Sequence, residues 1–130
     1  MSKEAMTQHG AFSWNELMTT DVTAAKNFYG ELLGWTLQDM DMGGMTYTVI
    51  KAGDCEVGGI MTMSEGAKKM PPMWGAYITV DDVDALTSRV EQLGGIVSVP
   101  PQDIPDVGRF CVIQDPQGAS VALITYVKKP

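Results

Sequence analysis

Apolar residues recur along the chain at two spacings, and the two alternate in a regular order. From Val22 the spacing is three to four, with Val22, Ala25, Phe28, Tyr29 and Leu32 forming the stripe of an amphipathic helix. Asp21 ahead of it can accept the unpaired amide hydrogens of the first turn, and Gly34 can supply a left-handed exit. Val83, Leu86, Val90 and Leu93 repeat the pattern, with Asp81 or Asp82 as cap and Gly94-Gly95 as stop. Strand-like runs surround both helices. Phe12–Met18 precedes the first; Trp35–Met40, a Gly43-Gly44 turn, Met45–Lys51, an Ala52-Gly53-Asp54 turn and Glu56–Met63 follow it. Gly75–Val80 precedes the second, which Ile96–Val99, a proline-rich loop from Pro100 to Val107, Arg109–Ile113 and Ser120–Val127 follow. Asp115-Pro116-Gln117-Gly118 suits the turn between the last two. The order is βαβββ twice, which predicts an α+β fold with the helices packed on one side of a sheet. A ferredoxin-like βαββαβ unit fits less well, because four runs separate the helices where it needs two.

The two halves are also alike in spacing. Asp21, Val22, Ala24, Leu32 and Gly34 meet Asp82, Val83, Ala85, Leu93 and Gly95 at a constant offset of 61. Val49-Ile50 meet Val112-Ile113 at an offset of 63. The chain therefore divides into a disordered tail (1–10) and one domain (11–127). That domain consists of module one (11–63), a linker (64–73) and module two (74–127).

Composition narrows the chemistry. The 130 residues are 45% hydrophobic and 19% charged, enough apolar side chain to fill a core. The net charge of −7 opposes phosphate backbones and anionic lipid heads, so neither nucleic acid nor a membrane is expected as partner. No run approaches the ~20 apolar residues of a bilayer span, and the polar N-terminus does not read as a secretory signal. Cys55 and Cys111 read as reduced thiols, which points to the cytoplasm. The single histidine, His9, lies in the tail, so a site needing two imidazoles from one chain is excluded.

The doubled pattern resembles the vicinal oxygen chelate superfamily, which includes glyoxalases, bleomycin resistance proteins and extradiol dioxygenases. The carriers are FYGELLGW (28–35), YITVDDVDAL (77–86) and DPQGASVALI (115–124), in that order. The resemblance implies that each βαβββ module curls into half of an open barrel with helices outside. The two halves would enclose a cleft for a small molecule, and the chain could pair as a homodimer. In metal-dependent members the ligands come from the first and last strand of each module. Those positions fall here on Trp14, Gly59, Gly75 and Ala122, none of which offers a carboxylate, imidazole or thiolate. No metal or other cofactor is expected. Asp39 with Asp41, and Asp81, Asp82 and Asp84, read instead as a solvated strand end and a helix start.

Strand alternation then fills the cleft. Phe12, Glu16 and Met18 share the side of Trp14. The same parity selects Val57, Gly59, Met61 and Met63, then Gly75, Tyr77 and Thr79, then Ser120, Ala122, Ile124 and Tyr126. Arg109, at the end of the proline-rich loop, is a candidate for binding a carboxylate. Ten methionines suit gap-filling or an adaptable surface. Glu16 is the one carboxylate in the lining, and an apolar surround would push its pKa upward. The first reading is a protein that binds a small, partly apolar molecule without metal. Its contacts would be Trp14, Gly59, Met61, Gly75, Tyr77, Arg109, Ala122 and Ile124, with Glu16 as polar anchor. The second is a glyoxalase-type lyase or isomerase with Glu16 as general base. A metal-dependent lyase or dioxygenase ranks last.

Overall fold

The computed structural model describes residues 4–42, 44–63 and 71–127. Gly43 of the first expected turn, residues 64–70 of the linker, the first three residues and the Lys128–Pro130 tail lie outside the described residues. Ten elements follow one another in chain order. They are β1 (Phe12–Thr19), α1 (Val22–Leu33), β2 (Thr36–Met42), β3 (Met45–Ala52), β4 (Cys55–Thr62), β5 (Met73–Thr79), α2 (Val83–Val90), β6 (Ile96–Ile104), β7 (Gly108–Gln114) and β8 (Ser120–Tyr126). This is βαβββ twice. The chain forms two compact units: residues 14–75, and the stretch ahead of Trp14 together with everything from Ala76 onward.

In the first unit β1 runs parallel to β4, and β4, β3 and β2 follow as antiparallel neighbours. In the second unit β5 runs parallel to β8, and β8, β7 and β6 follow in the same way. Each sheet carries its helix on one face. Leu17, Ile50 and Ile60 form the first core, with Val22, Ala25 and Tyr29 of α1 laid on it. Val80, Val83, Cys111 and Leu123 form the second, with Ile78, Leu86 and Ile113. The caps have the expected chemistry. The Ala24 amide donates to the Asp21 carboxylate (3.0 Å), the Ala85 amide to Asp82 (3.3 Å), and Gly34 takes φ +70°.

Four local expectations need correction. Phe28 and Leu32 point outward, 60% and 63% exposed, and α1 packs through Val22, Ala25 and Tyr29 alone. Helix α2 ends at Val90 and passes into turns, so Leu93 leaves the inner stripe and is exposed. The proline-rich loop is largely strand. β6 continues through Pro100-Pro101 to Ile104, with two register shifts, because prolines without amide hydrogens are tolerated on an edge strand. Finally, Ile50 pairs with Gly58 while Lys51 pairs with Glu56. The extra residue, Val57, is a bulge that turns its side chain to the helix core. Residues 4–10 form turns tied to the second unit: Thr79 Oγ1 donates to the Ala5 carbonyl at 2.6 Å and the Gly10 amide to the Thr79 carbonyl at 2.8 Å.

Candidate functional site

The face of each sheet opposite its helix is where the sequence puts the ligand. In the first unit the register fixes which residues share that face. Glu16 of β1 is level with Gly59 of β4, and Met18 with Met61. Val49 of β3 is level with Gly59 on its other side. Trp14, Glu16, Gly59 and Met61 are thus brought together on adjacent strands. Gly75 also belongs to this unit. A side chain there would meet only the Glu16 carbonyl oxygen, at 3.9 Å.

A residue absent from the sequence reading organises this face. Tyr47 stands two positions before Val49, on the same side of β3. Its phenol oxygen accepts a hydrogen bond from Trp14 Nε1 at 2.9 Å and donates one to Glu16 Oε2 at 2.8 Å. The Tyr47 ring lies over Gly59, where a Cβ would collide with the ring edge and hydroxyl. Glycine at 59 therefore makes room for Tyr47, and the volume expected there is taken by this ring. Trp14, Glu16 and Tyr47 are all half-buried.

The second unit brings together Tyr77, Ala122 and Ile124. Tyr77 pairs with Ala122 and Thr79 with Ile124 across β5 and β8, and Phe110 of β7 is level with Ile124. The Tyr77 and Phe110 ring centroids are 6.4 Å apart at a tilt of 48°. Arg109 is not brought to this group. Its neighbour in register is Thr125, and its guanidinium turns to the helix side. There it donates to Asp84 of α2 (2.8 and 3.2 Å) and Asp103 of β6 (3.0 Å). Alternation along β7 gives the reason: with Phe110 on the open face, its neighbour must face the helix.

The acidic residues weighed for metal binding have structural partners. Asp39 accepts from both Lys26 (2.9 Å) and Thr48 (2.7 Å), and these hydrogen bonds hold its carboxyl below the usual range. Arg109 does the same for Asp84. Among the described residues no three His, Cys, Asp or Glu side chains come together to hold a metal ion. The positions implied as metal ligands do not fit one either. Trp14 presents an N–H already donated to Tyr47, Gly59 lies beneath that ring, and Gly75 and Ala122 carry no donor atom.

Comparison with known proteins agrees with this architecture. The family profile described as Glyoxalase/Bleomycin resistance protein/Dioxygenase superfamily matches residues 11–123. CFP32 of Mycobacterium tuberculosis, named a glyoxylase, is 43% identical over 126 residues, 95% of this chain and 48% of that protein. DnrV of Streptomyces peucetius, named an anthracycline biosynthesis protein, is 35% identical over 127 residues, 88% of this chain and 46% of that protein. The chain thus spans about half the length of the curated relatives it matches. Among solved structures, methylmalonyl-CoA epimerase from Mycobacterium tuberculosis aligns over 98% of this chain and 93% of its own, with TM-score 0.63 and 17% identity. BH1468 from Bacillus halodurans, hypothetical by name, aligns over 95% and 99%, with TM-score 0.72 and 12% identity. At such identities the likeness is one of fold. No helix among the described residues is long and apolar enough to cross a membrane. The chain belongs to the glyoxalase/bleomycin resistance protein/dioxygenase superfamily.

Proposed function

We propose that this chain binds a small, partly apolar molecule on the helix-free face of its first unit, without a catalytic metal. The observation that carries the reading is the hydrogen-bonded set of Trp14, Tyr47 and Glu16. It supplies aromatic walls and one carboxylate and, among the described residues, no metal-binding donor set. A few placed polar groups among apolar walls are the usual make-up of a small-molecule site. Met61 and Gly75, of the same unit, are further contacts in this proposal; Tyr77, Ala122 and Ile124 lie in the second unit and are left out of it. Arg109, held by two aspartates, is left out of it.

One observation favours catalysis as a second reading. A base that takes a proton beside a carbonyl leaves charge on the carbonyl oxygen, and that charge needs a hydrogen-bond donor. Beside Glu16 stand the Tyr47 hydroxyl and the Trp14 N–H, which donate to Glu16 and to Tyr47 in the free chain and would have to turn to the substrate oxygen. A thermal-shift screen of small molecules on EDTA-treated protein, repeated with Ni²⁺ or Zn²⁺, tests the proposal. Binding should raise the melting temperature saturably and independently of metal. Glu16→Gln and Trp14→Ala should weaken it at least about tenfold, or ~1.4 kcal/mol. Stabilisation that requires the metal would overturn the reading. Turnover lost in Glu16→Gln with affinity retained would favour the second.

A further inference from the structure

Resting on the reading of this face as a small-molecule site, we infer that the niche over Gly59 is a receptor for an aromatic hydroxyl. In the free chain Tyr47 fills it, and a hydroxyaromatic ligand enters by replacing the Tyr47 ring. The niche has a floor and two polar walls. The floor is the bare backbone of Gly59, flat because no Cβ rises from it. One wall, the indole of Trp14, can only donate; the other, the carboxylate of Glu16, accepts. A phenol satisfies both at one oxygen, taking the indole hydrogen and giving its own to the carboxylate. The side chain found there is itself a phenol, so the chain displays the chemistry its niche accepts.

Two features make Tyr47 an exchangeable occupant rather than a core residue. It is half-buried, and it is absent from the buried cluster that holds β3 to α1 through Ile50. Its ring can swing on two side-chain torsions while the strand stays paired with β2 and β4. The fold does not demand the arrangement either. At the repeat offset of 63, Tyr47 and Gly59 correspond to Phe110 and Ala122 in the second unit. Any ligand of the wild-type chain is then weakened by the fraction of time Tyr47 occupies the niche. Tyr47 thereby sets both the strength and the selectivity of binding.

The probe is 4-methylphenol, the tyrosine side chain itself, with toluene as the control lacking the hydroxyl. Melting curves of the full chain are recorded for wild type, Tyr47→Phe and Tyr47→Ala at roughly 0.1–10 mM of each probe. In Tyr47→Ala, 4-methylphenol should raise the melting temperature saturably and toluene much less. Its apparent affinity should be at least about tenfold higher than in wild type, with Tyr47→Phe between them. Should Tyr47→Ala not fold, the ordering of Tyr47→Phe above wild type carries the same test. Equal affinity in all three proteins would overturn the inference, as would no preference over toluene. Screen ligands whose binding depends on Glu16 and Trp14 but not on Tyr47 would leave the functional reading standing and overturn the receptor. Rescue of Tyr47→Ala by 4-methylphenol, with neither it nor any screen molecule binding the wild type, would show only the cavity left by truncation and overturn both readings.

Discussion

The helix-free faces of the two units place corresponding residues at corresponding register and fill them with opposite chemistry. Glu16 is level with Gly59 in one, and Tyr77 is level with Ala122 in the other. Next to them, Tyr47 reaches Glu16 through a 2.8 Å hydrogen bond, whereas Phe110 meets Tyr77 as a pair of rings. The floor of the two faces differs by one methyl group. Gly59 lets an aromatic ring lie on the sheet backbone with its hydroxyl between an indole and a carboxylate, and Ala122 has a Cβ in the corresponding place. The same scaffold occurs twice, and its first copy carries a hydrogen-bonded indole, phenol and carboxylate where the second carries a pair of rings. Function is therefore argued from the site and not from the fold.

The largest expected effect lies one residue from the niche. A Cβ at Gly58 would collide with the Asn15 carbonyl oxygen, a backbone atom of the paired strand that cannot turn aside. Gly58→Ala should cost about 3 kcal/mol or more in urea unfolding. For Gly59→Ala the nearest atoms are those of the movable end of Tyr47, and the change should cost about 1–2 kcal/mol, chiefly by expelling the ring. Equal costs would mean that Tyr47 is as fixed as backbone. Tyr47→Phe removes two hydrogen bonds, one to a carboxylate, and should lose about 1–2 kcal/mol. Phe110, which makes no such bonds, gives the reference: Phe110→Leu should leave the Glu16-dependent binding intact.

Smaller effects separate the units by reactivity and by acid. Cys55 is exposed, while Cys111 is fully buried in the second core and burial pushes its thiol pKa up. A disulfide reagent at mild alkaline pH should label Cys55 promptly and Cys111 only on unfolding. Fast labelling of both would show the second core to be open. Asp39 in the first unit and Asp84 in the second have folded pKa values below the ordinary one, held there by Lys26 with Thr48 and by Arg109. Their stabilisation is present above the ordinary carboxylate pKa and is lost as the pH falls through the lowered folded values. Unfolding measured through the acid range should therefore show a shallower loss in Asp39→Asn and Asp84→Asn than in wild type.

Much of the scaffold was legible in the sequence because it rests on local signals. Asp21, Asp82 and Gly34 mark helix ends by capping chemistry alone, and the repeat offsets fixed the order of strands. The face bearing Trp14, Glu16, Gly59 and Met61 followed from alternation within two strands. Tyr47 was hidden by the bulge at Val57. Counting back from the Ala52-Gly53-Asp54 turn without that extra residue sets Thr48 opposite Gly59 and sends Tyr47 to the helix side. The offset of 63, which lays Tyr47 on Phe110, was a usable signal for it. The place of Arg109 escapes for a related reason: the proline-rich stretch before it reads as loop, which leaves its register open. Phe28 and Leu32 fit the helical period, but the sheet offers α1 only the width that Val22, Ala25 and Tyr29 fill.

The claim that the first unit's open face is the binding site is tested most directly through Trp14. Trp35 and Trp74 cluster around Tyr29 at the helix, so replacing both by Phe leaves Trp14 as the reporter. Emission from this single-tryptophan, EDTA-treated protein should change saturably with a ligand that raises its melting temperature, at the same apparent affinity, and the change should be lost in Glu16→Gln. A ligand that stabilises the protein to saturation while Trp14 emission stays constant would contradict the account.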